Sequence, residues 1–153
     1  MSHATNYFED MIARFFRTSS PAKPAALYVA LFLTLPDEGG ANGVEVGGGG
    51  YARIRNGPAD AHWSAPSGGD GQLRNLVTVA FNPPTTDWGT VVGFGLYDAL
   101  TGGNAWILAP LETPLAVRAG DPPPDLRPRR SGRYHRVGRG EKASPCAPPP
   151  PGP

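Results

Sequence analysis

The first apolar pattern along the chain has the spacing of one helix face. It lies in residues 5–16, TNYFEDMIARFF, where Asn6 can cap the free amides and Glu9 can complete a capping box. Its apolar members are Phe8, Met11, Ile12, Phe15 and Phe16. The pattern predicts one short amphipathic helix, and its stripe has two interpretations: it covers one end of the chain's own core, or it docks on a neighbouring subunit.

The following apolar segments have the length and alternation of strands. Residues 26–34, ALYVALFLT, form a short run between prolines, which is typical of a strand buried on both faces. In residues 75–82, NLVTVAFN, alternation turns Val77, Val79 and Phe81 inward. Further strand patterns occupy 51–54, 90–98, 105–112 and 114–121. The sequence predicts a mainly β fold, namely a small antiparallel β-sandwich or barrel of jelly-roll type.

A glycine-rich stretch, GVEVGGGGYARI, separates the first two strand patterns. A phosphate-binding loop of this kind continues into Lys and Ser/Thr or into a helix start, but here a strand follows. The acidic residues beside it, Asp37, Glu38 and Glu45, would repel a phosphate. Together with Asp70 they lack the alternating carboxylate order of a calcium loop. We therefore interpret the glycines as a linker and the acids as solvated loop residues.

Turn residues mark two further positions. Trp88 and Gly89 follow NPPTTD and are predicted to start a strand from a turn. Gly102, Gly103 and Asn104 supply the positive φ angles of a tight hairpin, and Asp98 and Asn104 flank it and are expected to hydrogen-bond its backbone. These residues are assigned structural roles.

Composition divides the chain near residue 121. Glycine and proline make up about a quarter of the chain, and ten of the 19 prolines lie in residues 122–153. That segment carries seven Lys and Arg against two acids, which leaves seven basic and eleven acidic residues in the remainder. We predict a helix arm at 1–20, a β-sandwich body at 21–121 and an irregular Pro/Arg-rich tail at 122–153. Only the basic tail gives a reason to consider nucleic acid as a partner.

Residues with catalytic or metal-binding chemistry are few and scattered. The three histidines, His3, His62 and His135, show no metal-site spacing, and there is no nucleophile elbow. The single cysteine, Cys146, excludes an intramolecular disulfide, and no apolar run approaches the ~18 residues that span a bilayer. The sequence therefore predicts a protein that is not an enzyme and has no cofactor, no metal and no membrane partner.

Several motifs occur in a familiar order: NYFEDMIARFF, LYVALFLTLPDEGG, EVGGGGYARI, NPPTTDWGTVVGFGLYDALTGGN and TPLAVRAGD. In this order they resemble the small phage virion proteins usually labelled tail fibre proteins, some of which are similar to capsid decoration, or cement, proteins. The resemblance covers residues 6–121. It implies a non-enzymatic structural protein of the virion, assembled in the bacterial host cytoplasm.

The tail departs from this resemblance. Family members are expected to continue after AGD with an apolar closing strand, whereas this chain continues with PPPDLRPRRSGRYHR. One hypothesis is that residues 122–153 are read in a shifted frame, because the same codons read one base later allow such a strand. The alternative is a real Pro/Arg-rich arm that lies along a capsid or touches packaged DNA.

Three functions follow from these observations. The first is a capsid decoration protein that binds the major capsid protein and self-associates as a dimer or trimer. The second is a short tail fibre or baseplate component in host attachment, with tail proteins as partners. The third is a carbohydrate-binding module that stacks sugars on Trp63, Trp88 or Trp106. Core or strand-anchor roles compete with the third function for the same tryptophans.

Overall fold

A computed structural model of the chain describes residues 3–17, 22–65 and 74–127. Its elements, in chain order, are β1 His3–Ala4, α1 Asn6–Phe15, β2 Tyr28–Thr34, β3 Val44–Glu45, β4 Ile54–Arg55, β5 Val79–Ala80, β6 Gly89–Tyr97, β7 Ala105–Val117 and β8 Asp125–Leu126. The predicted mainly β fold with one short N-terminal helix is confirmed. The predicted tail beyond residue 127, with His135 and Cys146, and also Asp70, lie outside the described residues.

The strands form two antiparallel sheets. The larger has six strands in the order β1–β7–β6–β2–β3, and β4 shares the outer edge of β2 with β3. The smaller consists of β5 and β8. β1 joins the large sheet from the predicted helix arm, and β8 joins the small sheet from the predicted tail. The sheets therefore extend beyond residues 21–121.

β2 is buried on both faces, as its unbroken apolar run predicts. Val29 and Leu31 face one core, which also contains Val79 and Phe81 of the β5 segment. The small sheet therefore covers this face of the large one. Ala30 and Phe32 face a second apolar cluster with Tyr97, Ala105 and Leu108.

The second cluster lies close against the sheet because β6 contributes glycines there. A Cβ atom at Gly93 would lie 2.7 Å from Leu35 Cγ, and one at Gly95 would lie 2.9 Å from Leu108 Cδ2. Leu35 belongs to the loop between β2 and β3, which returns across this face. Side chains thus occupy the space above both glycines, which accounts for glycine in the middle of a strand.

Two strand predictions differ in extent from the structure. The alternation in 75–82 is confirmed, since Val79 and Phe81 are buried while Leu76 and Ala80 are exposed, but only Val79–Ala80 pairs as a strand. Asn75 explains part of the difference, because its side chain accepts a hydrogen bond from Val77 N and donates one to Val77 O. Those backbone groups are satisfied locally instead of by a neighbouring strand.

The pattern 105–112 and the first part of the pattern 114–121 form the single strand β7, which ends at Val117, despite Pro110 and Pro114. β7 pairs with β6 on one side, but on the other side its pairing with β1 is limited to Ile107 and Leu108. Proline is tolerated where a strand edge needs no amide donor. No helix in the described part of the chain is long and apolar enough to cross a membrane.

Candidate functional site

The N-terminal helix is fixed to the large sheet at its first turn. Thr5, only 2% exposed, is the N-cap, and its Oγ1 accepts from Phe8 N at 3.3 Å. The same hydroxyl donates to Ala105 O, while Thr5 N donates to Trp106 O at 3.2 Å. The prediction that Asn6 caps the helix is wrong, because Asn6 is already its first residue. With Thr5 as cap, Glu9 lies one position beyond the capping-box site.

Two aromatic residues of α1 pack on the sheet. The rings of Tyr7 and Phe8 lie 5.6 and 5.5 Å from the Trp106 ring, centroid to centroid. Trp106 is the extra residue of a bulge in β7, since Leu96 pairs with Ile107 while the adjacent Tyr97 pairs with Ala105. The bulge gives the helix an aromatic surface at the sheet edge.

The rest of the predicted stripe extends past this contact. Met11 is half-buried, and Ile12, Phe15 and Phe16 are 49%, 68% and 89% exposed. No residue of α1 is buried. An amphipathic helix with so much uncovered aromatic surface is typical of an interaction site, which makes this stripe the candidate site. Its role as an interface stays a prediction.

A buried cation connects the glycine-rich segment to the 98–104 hairpin. Arg53, 8% exposed, forms a two-pronged ion pair with Glu45, with Nε–Oε1 at 2.8 Å and Nη2–Oε2 at 2.7 Å. Its Nη1 donates to Ala99 O at 2.9 Å and to Gly102 O at 2.7 Å. The guanidinium lies 4.0 Å from the centre of the Tyr97 ring. Glu45 is therefore not the solvated loop acid that the sequence analysis predicts.

Tyr51 extends this cluster into the sheet. Its hydroxyl donates to Glu45 Oε1 at 2.8 Å and accepts from Leu31 N at 2.9 Å. Burial raises the pKa of the Tyr51 phenol, and the negative charge of Glu45 adds to that rise. Burial opposes the charge on Arg53, yet the hydrogen bonds and charge of Glu45 outweigh it and raise the pKa of Arg53. These shifts favour the neutral form of the Tyr51 phenol and the charged form of the Arg53 guanidinium.

The 98–104 hairpin is closed by its flanking residues. Asp98 Oδ1 accepts from Asn104 N at 2.7 Å, and Asp98 Oδ2 accepts from Asn104 Nδ2 at 2.9 Å and from Trp106 Nε1 at 3.4 Å. Gly102 and Gly103 have φ of +60° and +75°. Burial alone would raise the pKa of Asp98, but the hydrogen bonds from Asn104 and Trp106 lower it overall.

The glycine-rich segment packs against Trp88. Trp88 is 4% exposed and directly precedes Gly89, the first residue of β6. Its Nε1 donates to Gly49 O at 3.1 Å, and a Cβ at Gly49 would lie 2.8 Å from that Nε1. Gly49 also has a φ of +53°. The interpretation of these glycines as a passive linker is thus wrong for Gly49, whose contact with Trp88 only glycine allows.

The polar clusters described above connect loops to strands and to one another. No group of three His, Cys, Asp or Glu side chains that could hold a metal ion occurs in the ranges 3–17, 22–65 and 74–127. The sequence analysis assigned no role to Arg53 or Tyr51, although both stand in the motif EVGGGGYARI that carried the resemblance. The one sequence feature that could have indicated a role for Arg53 is its position as a charged residue inside the strand pattern YARI.

One comparison with known proteins shows the family to which the chain belongs. The sequence profile of the podophage GP4 fiber I protein gp80 family matches residues 3–125. The chain belongs to this fibre protein family. The match spans both sheets, α1 and the Arg53 cluster. No curated protein matches the chain.

Membership of the gp80 fibre family makes the chain a structural protein of the phage virion. The family is one of fibre proteins, and the match shows no link to capsid decoration proteins beyond the virion. The family therefore supports the virion part of the resemblance and favours the tail fibre alternative over the decoration protein.

Proposed function

We propose that the chain is a subunit of a phage tail fibre, or of the tail structure that carries the fibre, and acts in host attachment. The observation that carries this proposal is the fibre family match over residues 3–125. The fold is consistent with a mechanical part, because its polar clusters connect loops to strands. The capsid decoration hypothesis has no comparable support.

The α1 stripe is the surface through which we propose that the subunit associates with further copies as a dimer or trimer. Ile12, Phe15 and Phe16 expose on the order of 400 Å² of apolar surface, since a buried phenylalanine covers about 150–250 Å². A stable interface buries about 800 Å² on each partner. The stripe supplies about half of that area, as expected for the centre of a larger contact.

The carbohydrate-binding alternative draws little support from the tryptophans. Trp88 is part of the core, Trp63 donates its Nε1 to Asn56 O, and Trp106 lies beneath Tyr7 and Phe8. Each indole is used within the fold, so a sugar would have to displace a packed neighbour to stack on it.

Cryo-electron microscopy of phage particles that carry this gene tests the proposal. We expect density for the two-sheet domain at the tail, in a small number of copies, continuous with a fibre. Density for the domain in hundreds of copies on the capsid shell would overturn the proposal in favour of a decoration protein. Absence of the chain from purified particles would contradict both.

A further inference from the structure

The last described strand, β8, lies at the C-terminal end of the described residues, which extend to residue 127. β8 consists of Asp125 and Leu126, which pair with Ala80 and Val79 of β5. The family match ends at residue 125, within this strand. From residue 122 onward the composition also changes to proline and arginine. The family match and the apolar composition thus end near the same position.

Asp125 is poorly suited to its position. It borders a small cavity whose other lining residues are apolar: Leu31, Phe81, Val91, Leu111, Leu115, Pro124 and Leu126. Its Oδ2 accepts from Arg127 Nε at 2.8 Å, but its Oδ1 is shielded from solvent and has no hydrogen-bond partner among the described residues. A carboxylate oxygen that loses water and gains no donor is destabilising. A β-branched residue fits such a half-buried strand position.

The genetic code supplies that residue in the next reading frame. An aspartate codon is GAU or GAC, and the Leu126 codon that follows starts with C or U. Read one base later, codon 125 must therefore encode Ile or Thr. Tyr134 and His135 convert to Ile or Thr by the same rule. Arginine codons of the form CGN become Val, Ala or Gly unless their third base is A. Arginine, tyrosine and histidine codons thereby yield mainly small and β-branched residues, whereas the proline codons (CCN) yield Leu, Pro, His, Gln or Arg.

We propose that the functional product is read one base later from a point between Asp121 and Asp125, and that its new sequence continues β8 as an apolar strand along β5. This strand completes the small sheet over Leu111 and Leu115. The Pro/Arg-rich sequence from residue 122 is then the out-of-frame translation of that strand. The inference concerns the C-terminal sequence and is independent of where the protein sits in the virion.

Mass spectrometry of the protein isolated from phage particles tests the proposal. Trypsin cleaves after Arg118, so the peptide that begins at Ala119 crosses the proposed shift. We expect this peptide to carry Ile or Thr at position 125 and the following residues of the next frame. An intact mass of 16.1 kDa together with a peptide containing Asp125 would overturn the proposal. A chain that ends near residue 125 without either sequence would overturn it as well.

Substitutions in the full chain test the structural part separately. Asp125→Ile and Asp125→Thr remove the shielded oxygen, and we expect each to raise the melting temperature by about 2–4 °C. Asp60→Thr makes the same chemical change at an exposed aspartate and should leave the melting temperature unchanged. A fall in melting temperature for both Asp125 variants would contradict the view that an apolar strand residue belongs at this position.

Discussion

At the scale of single residues, Arg53 makes four side-chain hydrogen bonds, two to Glu45 and one each to Ala99 O and Gly102 O. Arg53→Lys keeps the charge but cannot form the two-pronged pair with Glu45 and reach Ala99 O and Gly102 O at the same time. We expect a loss of about 2–3 kcal/mol in the free energy of unfolding, measured by urea denaturation. Arg55→Lys, at an exposed position of the neighbouring strand, is the control and should change it by less than about 0.5 kcal/mol. Equal losses of unfolding free energy in Arg53→Lys and Arg55→Lys would contradict the view that Arg53 stabilises the fold through its bonds to Glu45, Ala99 and Gly102.

Asp98 gives the fold a predictable acid sensitivity. Its pKa in the folded protein lies below the ordinary value of 3.8, so its contribution to stability is complete above that value and is lost as the pH falls through the lowered pKa. Asp98→Asn should lower the free energy of unfolding at pH 7 by about 1 kcal/mol, because Asn104 loses charged acceptors. The difference from wild type should shrink below about pH 4. Denaturation curves across this range, with Asp60→Asn as the control, measure it, and a difference that grows on acidification would contradict the assignment.

These two residues differ in how far the sequence predicts them. Asp98 and Asn104 belong to one hairpin, so turn chemistry alone indicates their contact. Arg53 reaches Ala99 and Gly102, which are 46 and 49 positions away. That contact depends on the pairing of β4 and β6 with opposite edges of β2. Local patterns carry no information about such register, and so Glu45 was predicted to be solvated.

At the scale of elements, the N-terminal cap of α1 gives a sharp comparison between neighbouring residues. Thr5→Ala removes both the cap on Phe8 N and the bond to Ala105 O, and should lower the free energy of unfolding by about 1–2 kcal/mol. Asn6→Ala, the matched control, removes an exposed side chain and should be nearly neutral. A comparison of the thermal stabilities of Thr5→Ala and Asn6→Ala shows which of the two residues caps the helix. A larger loss for Asn6→Ala would restore the cap that the sequence predicts.

The glycine-rich segment is a second element whose role depends on packing. Gly49→Ala forces a side chain into a left-handed conformation and against Trp88 Nε1, and should cost about 1–3 kcal/mol of unfolding free energy. Gly47→Ala is the control, since a Cβ there meets no atom within 4 Å. Chemical denaturation should show it to be neutral. If both alanines were tolerated equally, the segment would be the passive linker that its composition indicates.

Helices and strands were predictable from sequence where a local periodicity defines them. The residues at which strands begin and end were less predictable, because they depend on contacts with neighbouring segments. The stripe of α1 and the alternation of Val77, Val79 and Phe81 follow from periodicity alone. The length of β5 does not, because Asn75 satisfies the backbone that a longer strand would have used. The joining of two predicted strands into β7 depends on an edge where Pro110 and Pro114 are tolerated.

At the scale of the whole molecule, the helix is both tied to the sheet and uncovered at its far end. Thr5 and Trp106 fix its first turn, so the apolar side chains beyond Met11 are presented in a defined direction. A rigid apolar surface lowers the entropy lost on association compared with a mobile arm. The candidate interface was predictable as a stripe, whereas its division into a docked and an exposed half required the position of Trp106.

Self-association through this surface is the last prediction. The double variant Phe15→Glu, Phe16→Glu places charges on the two most exposed members of the stripe and should leave the unfolding free energy of the subunit within about 0.5 kcal/mol of wild type. Sedimentation velocity should show a wild-type chain that forms dimers or trimers as concentration rises and a variant that stays monomeric. Leu76→Glu and Leu100→Glu, each at a side chain 51% exposed, are the matched controls and should associate like wild type. Loss of association in the controls alone would place the interface elsewhere than on α1, and a wild type that remains monomeric at all concentrations would contradict self-association.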